Sequence, residues 1–287
     1  MLAFVAGLCV AALAAAAPIP VAPGSYPRGV AVASGVLLCV GRTQEHAKVL
    51  QVYRQQHGEA GFTPLSIAAS SSNTTDDLAN CNMADLGGGR LLASFRHHTG
   101  CVPGGKCAAY RIQVVASTDG GASFSTSPVT LVTTHAPTGV WEPFLWVPPG
   151  APAGTVACAY SQELPPAAPG GHIEQSIVQQ RSADYGASWS PPSTASYTKG
   201  PRNGMPGVAV LPGSSEVVLA MEGFFTGFSA VGLAHSIDGG RTFSEPEVVY
   251  APTGGRRAGA PQVAVSPTSG KVIVSYMTND DTVNPGP

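Results

Sequence analysis

Charged side chains are scarce in this chain of 287 residues, where they make up only 11% of the sequence. The 15 Lys and Arg residues nearly balance the 17 Asp and Glu residues, so the formal net charge is −2. Nucleic acids and anionic membrane surfaces are bound mainly through clustered positive charge. The composition therefore argues against both as partners, and it is compatible with a neutral substrate.

Helical periodicity is missing beyond the first 17 residues, and so are the glycine-rich sequences that bind nucleotides. No Gly-x-Gly-x-x-Gly follows a predicted strand, and no P-loop sequence occurs, so no cofactor is predicted. The 35 Gly and 26 Pro residues instead indicate many turns, and 44% hydrophobic residues suffice for a core. Residues 66–77 and 165–171 are predicted surface loops. We expect an all-β protein.

Residues 1–17 are apolar and rich in Ala, and they end in three small residues directly before Pro18. This pattern is typical of a secretory signal peptide and its cleavage site, and a buried Ala-rich helix is the alternative. Pro18 and Pro20 stop the apolar run before it is long enough to span a membrane. We therefore predict a secreted, extracellular protein without membrane association, whose folded domain covers residues 22–287.

Cysteine is present at six positions, of which Cys9 falls in the predicted signal peptide. Cys101 and Cys107 flank a short loop that a disulfide could close in an oxidising compartment. The spacing lacks a second Cys-x-x-Cys or a His pair, so no metal site is predicted. The remaining odd number leaves at least one free thiol or an intermolecular bridge. A glycosylation sequon at Asn73 agrees with secretion.

An eight-residue pattern, Ser-x-Asp-x-Gly-x-Ser/Thr-aromatic, occurs three times, at 117–124, 182–189 and 236–243. A degenerate copy at 54–62 has Gln56 in place of the Asp. The Asp can accept hydrogen bonds from backbone N–H groups, the Gly can adopt a positive φ, and the aromatic ring can pack under the turn. Recurrence at such intervals predicts a repeat architecture in which these octets are hairpin tips, remote from any chemistry.

Five further hairpins alternate with the octets, each a pair of short apolar runs joined by a turn with Gly or Pro. They cover 28–40, 82–95, 142–160, 207–221 and 260–276. Such a hairpin and the following octet hairpin together form a four-stranded unit, which is the blade of a β-propeller. The chain thus contains four predicted blades and the first half of a fifth.

The octets resemble the Asp-boxes of sialidase-type β-propellers, which have six blades of four strands. Either the chain is truncated after the first half of its fifth blade, or the resemblance overstates the closure of the ring; we favour truncation. An open ring would leave hydrophobic blade faces and strand edges exposed, which soluble proteins avoid.

The first strand of each propeller blade lines the central channel, so polar residues near its ends face a common pocket. Glu142 and Glu222 lie among apolar and aromatic neighbours, which raise the pKa of a carboxyl by desolvation. We expect them at equivalent channel-lining places, where a pair of carboxylates is the working pair of a glycosidase. For either glutamate alone, a hydrogen-bonded structural role is the alternative. Other polar residues at the channel are Arg28, Asn80, Asn82, Arg202, Asn203 and Tyr276.

Several segments also resemble, in order, the landmarks of family-93 glycoside hydrolases. They are Trp-Glu-Pro-Phe at 141–144, Tyr-Ser-Gln-Glu at 160–163, the most distinctive segment 202–208, Met-Glu at 221–222, and the segments 260–263 and 274–278. The similarity covers about residues 25–282. Those enzymes are similar to sialidases in fold and act as exo-arabinanases on α-1,5-linked arabinan with retention. Two features depart from the family, namely the missing Asp of the first octet and an inserted loop at 100–106.

The resemblance implies that Glu142 is the nucleophile and Glu222 the acid/base, with carboxyl groups about 5–5.5 Å apart, as in retaining enzymes. It implies sugar-binding or charge-tuning roles for Arg28, Arg96, Arg202 and Tyr276. Asn80, Tyr160 and Asn203 are further predicted substrate-binding residues. We predict a monomeric enzyme whose partner is a polysaccharide or oligosaccharide, without a metal ion; a truncated chain would be inactive if the missing blades hold site residues.

Two other functions fit parts of the pattern. An exo-sialidase needs three arginines around the substrate carboxylate, and a Tyr nucleophile assisted by Glu. Arg28, Arg96, Arg202 and Arg256 could supply the arginines, but Asp76 and Asp77 lie in a polar loop and do not obviously supply the acid. The other alternative is a non-catalytic carbohydrate- or protein-binding propeller in which both glutamates are structural.

Overall fold

A computed structural model describes residues 24–165, 173–198, 202–225, 227 and 229–280. The predicted signal peptide at 1–17 and most of the predicted loop at 165–171 lie outside the described residues. Regular structure within these ranges consists of β-strands in five antiparallel sheets. No helix in this part of the chain has the length and apolar character that crossing a bilayer requires.

The strands follow one another in chain order within each sheet. The first sheet contains β1 (Ser25–Val32), β2 (Gly35–Gln44), β3 (Ala47–Gln56) and β4 (Thr63–Ser71). The second contains β5 (Asp77–Asp85), β6 (Leu91–His98), β7 (Ala109–Ser117) and β8 (Val129–His135). The third contains β9 (Val140–Trp146), β10 (Val156–Leu164), β11 (Glu174–Ser182) and β12 (Ser193–Ser196). The fourth contains β13 (Asn203–Val210), β14 (Val217–Gly223), β15 (Ala230–Ser236) and β16 (Glu247–Tyr250), and the fifth contains β17 (Ala258–Val265) and β18 (Val272–Thr278).

This arrangement confirms the predicted all-β class and the predicted four-stranded antiparallel units. Each of the five predicted hairpins corresponds to the first two strands of a sheet. The first strands of consecutive sheets contact one another in series, β1 with β5, β5 with β9, β9 with β13, and β13 with β17. They therefore share one edge of the molecule, as the channel-lining strands of a propeller do.

Hydrophobic cores fill the spaces between consecutive sheets. Leu50 and Phe95 belong to the core between the first and second sheets, and Ile112 and Tyr160 to the next. A third core contains Leu219 with residues of both the third and fourth sheets. Strands such as β5 are buried on both faces, so the polar residues Asn80 and Asn82 are enclosed together with the apolar ones. This packing on both sides fixes the first strands in place.

The octets form the predicted turns between the third and fourth strands of their sheets. In the first octet, Asp119 accepts hydrogen bonds from the Ser123 backbone N–H at 2.9 Å and from the Ser123 hydroxyl at 2.6 Å. The Ser117 hydroxyl accepts the Gly121 N–H at 2.9 Å. Hydrogen bonds from Ser123, together with one from Ser117, lower the pKa of Asp119 to about 2. The other two octets repeat these contacts.

The aromatic residue that ends each octet packs against a core between two sheets. Phe124, Trp189 and Phe243 each contact a different core. In the degenerate copy, which lacks the Asp, the Glu59 carboxylate accepts the Gln56 N–H at 2.9 Å and closes the turn. The octets are thus turns that anchor one sheet to its neighbour, and they carry no site chemistry.

Two disulfides are present among the described residues. The predicted Cys101–Cys107 bridge is confirmed and closes the loop that follows β6. The second bridge, Cys39–Cys81, was not predicted, and it joins β2 of the first sheet to β5 of the second. Cys158 is buried and carries a free thiol.

Candidate active site

Each first strand contains a β-bulge at the same place in its sheet. The bulge holds one non-glycine residue with φ near +50°, an uncommon conformation that the surrounding sheets must maintain. These residues are Tyr26, Asn80, Glu142, Met205 and Ala260. Pro follows in four of the five bulges, where the disrupted ladder leaves no need for its N–H, and Cys81 follows in the second. The bulges give Glu142 its position.

A second series of positions lies opposite these bulges. In β6, β10 and β14, the residue paired just before the bulge is Arg96, Ser161 or Glu222. Each of these side chains contacts the bulge residue of the next sheet. Arg96 Nη1 lies 3.9 Å from Glu142 Oε1, Ser161 Oγ accepts the Met205 N–H at 3.1 Å, and Glu222 Oε2 accepts the Ala260 N–H at 2.9 Å.

The two glutamates therefore do not occupy equivalent positions, and that expectation is wrong. Glu142 is the bulge residue of β9, whereas Glu222 lies on the second strand of the next sheet, β14. The equivalent of Glu142 in the fourth sheet is Met205, and the equivalent of Glu222 in the third sheet is Ser161. The two carboxylates come together because second-strand residues reach across to the bulge of the following sheet.

Glu142 is almost completely buried, at 6% exposure. Its Oε2 accepts a hydrogen bond from the Ser161 hydroxyl at 3.1 Å. Burial raises the pKa of Glu142, as its apolar neighbours predict, and the positive charges of Arg96 and Arg202 oppose that shift. The negative charge of Glu222 raises the pKa of Glu142 further.

Glu222 is more accessible than Glu142 and lines two adjoining cavities, of about 400 and 170 Å³. Arg202 Nη2 lies 3.4 Å from its Oε1, so the guanidinium pairs with this carboxylate and also favours the ionised form of Glu142. Gly259 lies directly beneath, and a Cβ atom on Gly259 would lie 2.4 Å from Glu222 Oε2. Any residue with a Cβ atom at position 259 would displace the Glu222 carboxylate from this position.

Arg28 stabilises the bulge that carries Glu142. It is buried, and its Nη1 donates to the Pro143 carbonyl at 3.0 Å, which braces the bulge that carries Glu142. Burial lowers the pKa of Arg28 to about 10, and the negative charge of Glu142 partly opposes this. Arg96 is held between Glu142 and Asp77, since its Nε lies 3.0 Å from Asp77 Oδ2.

Two predicted substrate-binding residues face away from the site. Tyr160 is fully buried in a core, where its hydroxyl donates to Gln180 at 2.8 Å, so it is not available to a ligand and the prediction is wrong. The Tyr276 ring packs 4.5 Å from the Tyr250 ring. In its sheet, Met277 is paired with Gly259 before the bulge and lines the 400 Å³ cavity with Glu222.

Asn80 and Asn203 are both buried near the bulges. Asn80 is the bulge residue of β5, and its side-chain oxygen and nitrogen have no protein partner among the described residues. The Asn203 side-chain nitrogen donates to Ser196 Oγ at 3.1 Å, which ties β13 to β12. Asn203 thus has a structural contact, whereas Asn80 is a buried polar group with unmet hydrogen-bonding capacity.

Sequence reasoning missed Ser161 and Tyr26. Ser161 joins the Met205 backbone to Glu142, and Tyr26 is 44% exposed and lines a cavity with Glu222. Tyr26-Pro27 has the same form as Glu142-Pro143, and this repeat was the available signal.

Among the described residues, no three His, Cys, Asp or Glu side chains are grouped so as to hold a metal ion.

Glu142→Gln is expected to stabilise the fold at neutral pH. Because the pKa of Glu142 is raised above its usual 4.5, the folded state holds its proton to higher pH than the unfolded state. Wild-type stability therefore falls as pH rises from about 4.5 through the folded-state pKa, and the Gln variant lacks this loss. Thermal unfolding of both proteins from pH 4 to 8 measures the effect. A stability difference independent of pH would contradict the assignment.

No protein-family model and no curated protein matches the chain. Solved structures do match. The α-L-arabinanase of Penicillium chrysogenum, in complex with arabinobiose, is 21% identical with a TM-score of 0.62, and the match covers 90% of this chain and 78% of that one. The α-L-arabinofuranosidase of Fusarium graminearum, also with arabinobiose, is 20% identical with a TM-score of 0.63, covering 89% and 77%. The endo-arabinase of Bacteroides thetaiotaomicron is 15% identical with a TM-score of 0.56, covering 90% and 91%.

At these identities the likeness establishes the fold, which is one used by glycoside hydrolases. It agrees with the sheets of four antiparallel strands expected from the sequence.

Proposed function

We propose that the protein is a secreted, retaining glycoside hydrolase that removes units from α-1,5-linked arabinan, with Glu142 and Glu222 as its catalytic carboxylates. The observation that supports this most strongly is that Glu142 and Glu222 come from neighbouring sheets and meet at one guanidinium: Arg202 lies 3.4 Å from Glu222 Oε1, and its charge favours the ionised form of Glu142. A pair of carboxylates in different environments is what glycoside hydrolysis requires. The two structural neighbours solved with arabinobiose support the choice of substrate.

Glu142 is assigned as the nucleophile, a role that needs its ionised form, which the positive charges of Arg96 and Arg202 favour against the effect of burial. Its carboxylate is held by the Ser161 hydroxyl and lies beside Arg96, so its orientation is fixed before substrate binds. In the first step, this carboxylate forms a bond to the anomeric carbon while the bond to the leaving oxygen breaks. The product of this step is a covalent glycosyl–enzyme ester.

Glu222 is assigned as the acid/base. In the first step it gives its proton to the leaving oxygen, and in the second it takes a proton from the water that hydrolyses the ester. This role requires access for the leaving group and for water, and Glu222 lines two cavities whereas Glu142 is buried. Arg202 and the Ala260 N–H fix the position of its carboxylate.

The alternatives have weaker support. A sialidase needs arginines that converge on a substrate carboxylate, but Arg28 is engaged with the Pro143 carbonyl and Arg256 lies 3.2 Å from Asp280.

The two disulfides support the proposed secretion, since they persist in oxidising compartments.

A substrate screen tests the proposed function. Purified protein is incubated with linear arabinan, sialyl-lactose and neutral aryl glycosides, and the products are identified by chromatography and by NMR of the newly formed anomeric centre. We expect release of small arabinose oligomers with retained configuration. Release of sialic acid would support the sialidase instead, and saturable arabinan binding without hydrolysis would support a binding protein.

Gly259→Ala is expected to lower kcat/KM on arabinan about a hundred-fold, because displacing a catalytic group by about 1 Å has an effect of this size. The new methyl group would occupy the place of Glu222 Oε2. Gly61→Ala is the matched control, since a Cβ atom there has no neighbour within 4 Å. Steady-state kinetics and circular dichroism separate loss of activity from loss of fold. If Gly259→Ala keeps wild-type kcat/KM, Glu222 does not act in the place that the structure gives it.

A further inference from the structure

A cavity of about 590 Å³ lies between the first and second sheets, a volume typical of ligand sites. Its walls come from β1 and β2 on one side and from the start of β5 on the other. The disulfide-closed loop contributes Cys101, Val102 and Pro103. This is the loop that the sequence predicts to be a departure from the family resemblance.

The cavity adjoins the proposed catalytic centre. Arg96 lines it and also lies 3.9 Å from Glu142. Tyr26 lines both this cavity and the one that contains Glu222. A ligand that fills the cavity would therefore lie next to the proposed site of bond cleavage, with the exposed Tyr26 ring between them as a surface for sugar stacking.

The acidic side chains that line the cavity have basic or hydrogen-bonding partners, whereas two of the basic side chains lack an anionic one within the described ranges. Both carboxylates on its walls already have cationic or hydrogen-bonding partners. Asp77 pairs with Arg96 at 3.0 Å, and Asp76 contacts the His97 ring at 3.0 Å. These two carboxylates therefore already interact with basic side chains of β6.

On the opposite wall, Arg42 and Lys48 contact only neutral oxygens. Arg42 Nη1 donates to the Tyr53 hydroxyl at 2.8 Å, and the Lys48 ammonium donates to Thr43 Oγ1 at 3.1 Å. Neither forms an ion pair with a carboxylate of the described residues. Arg42 Nε is also buried without a hydrogen-bond partner in this part of the chain. Two cations on one wall thus lack an anion.

We propose that this cavity binds the carboxylate of an acidic sugar residue, a uronate, within the same oligosaccharide that is cleaved at Glu142 and Glu222. The guanidinium of Arg42 and the ammonium of Lys48 form charge-assisted hydrogen bonds with the carboxylate. The sugar hydroxyls donate to Asp77 on the facing wall, whose side chain is 34% exposed.

The inference rests on the proposed function for the identity of the substrate, but its binding step can be measured separately. The inactive variant Glu142→Gln is titrated with D-glucuronate and with D-glucose, and binding is followed by calorimetry and ligand-observed NMR. We expect glucuronate to bind more tightly than glucose, and its affinity to fall with added NaCl because the contact is ionic. Arg42→Gln with Lys48→Gln, introduced into the same variant, is expected to weaken glucuronate binding about tenfold or more.

Controls keep the outcomes distinct. Lys48→Gln alone removes one cation with little risk to folding, and Lys271→Gln removes an exposed cation outside the cavity. Hydrolysis of neutral arabinan by otherwise wild-type protein is expected to be unchanged by Lys271→Gln, which lies outside both the cavity and the proposed catalytic centre. Equal binding of glucuronate and glucose, or glucuronate binding insensitive to both cavity variants, overturns the proposal. Preference for a sulfated sugar over glucuronate also overturns it. Glucuronate binding without arabinan hydrolysis refutes the proposed function alone.

Discussion

Glu142→Gln is expected to lower kcat on linear arabinan about a thousand-fold or more, the scale on which loss of an essential catalytic carboxylate acts. Gln keeps the shape of the side chain and can still accept from the Ser161 hydroxyl, but it cannot form the ester intermediate. The change therefore removes the chemistry and leaves the packing. Glu222→Gln is expected to have a comparable effect on arabinan and a smaller one on aryl arabinosides with good leaving groups, which need little protonation.

Glu216→Gln is the matched control for both variants, because Glu216 is exposed in the turn before β14 and its side chain forms no hydrogen bond or ion pair with the described residues. Added azide distinguishes the roles. With Glu222→Ala, azide attacks the glycosyl–enzyme and gives a retained azide product, whereas with Glu142→Ala it attacks the substrate directly and gives the inverted product. If a Gln variant keeps wild-type turnover, the glutamate that it replaces is a structural residue and not a catalytic one.

Removal of the Cys39–Cys81 bridge by the double substitution to Ala is expected to reduce the free energy of unfolding by about 4 kcal/mol. The bridge closes a sequence separation of 42 residues, and a loop of this length sets that magnitude in the chain-entropy model. For a chain of this size, such a loss lowers Tm by about 10 °C. Denaturation with urea under non-reducing conditions measures it.

The double Ala substitution of Cys101 and Cys107 provides the comparison. Its sequence separation is only 6, so the same model gives about 2 kcal/mol. The bridge between sheets should therefore contribute more than the bridge within a loop. An equal or larger loss from the Cys101–Cys107 pair would show that the link between the first two sheets does not limit unfolding.

The sheets could be predicted because their determinants are local. Apolar runs of four to six residues flanked by Gly or Pro predict hairpins, and the Ser and Asp of each octet supply the hydrogen bonds of their own turn. The bulges could not be predicted in the same way. A non-glycine residue at positive φ has no strong residue signature, and only the following Pro, as in Glu142-Pro143 and Met205-Pro206, marks it.

The errors at Tyr160 and Tyr276 have a common cause. They precede by one residue the positions opposite the bulge, Ser161 and Met277. Successive side chains of a strand point to opposite faces, so a shift of one residue replaces a site position with one that faces away from the site. The Cys39–Cys81 bridge was missed for a different reason, since its formation depends on how two sheets stack rather than on the spacing of the cysteines.

The alternation between bulge residues and the side chains opposite them has an implication for engineering. Five sheets present ten such places around one centre, and the contact between Arg96 and Glu142, like that between Glu222 and Ala260, spans a boundary between sheets. Directed evolution could substitute a bulge residue together with the second-strand residue that contacts it, and so change substrate preference one pair at a time. The hydrophobic cores between the sheets would stay unchanged. The molecule thus separates the residues that specify what it recognises from those that keep it folded.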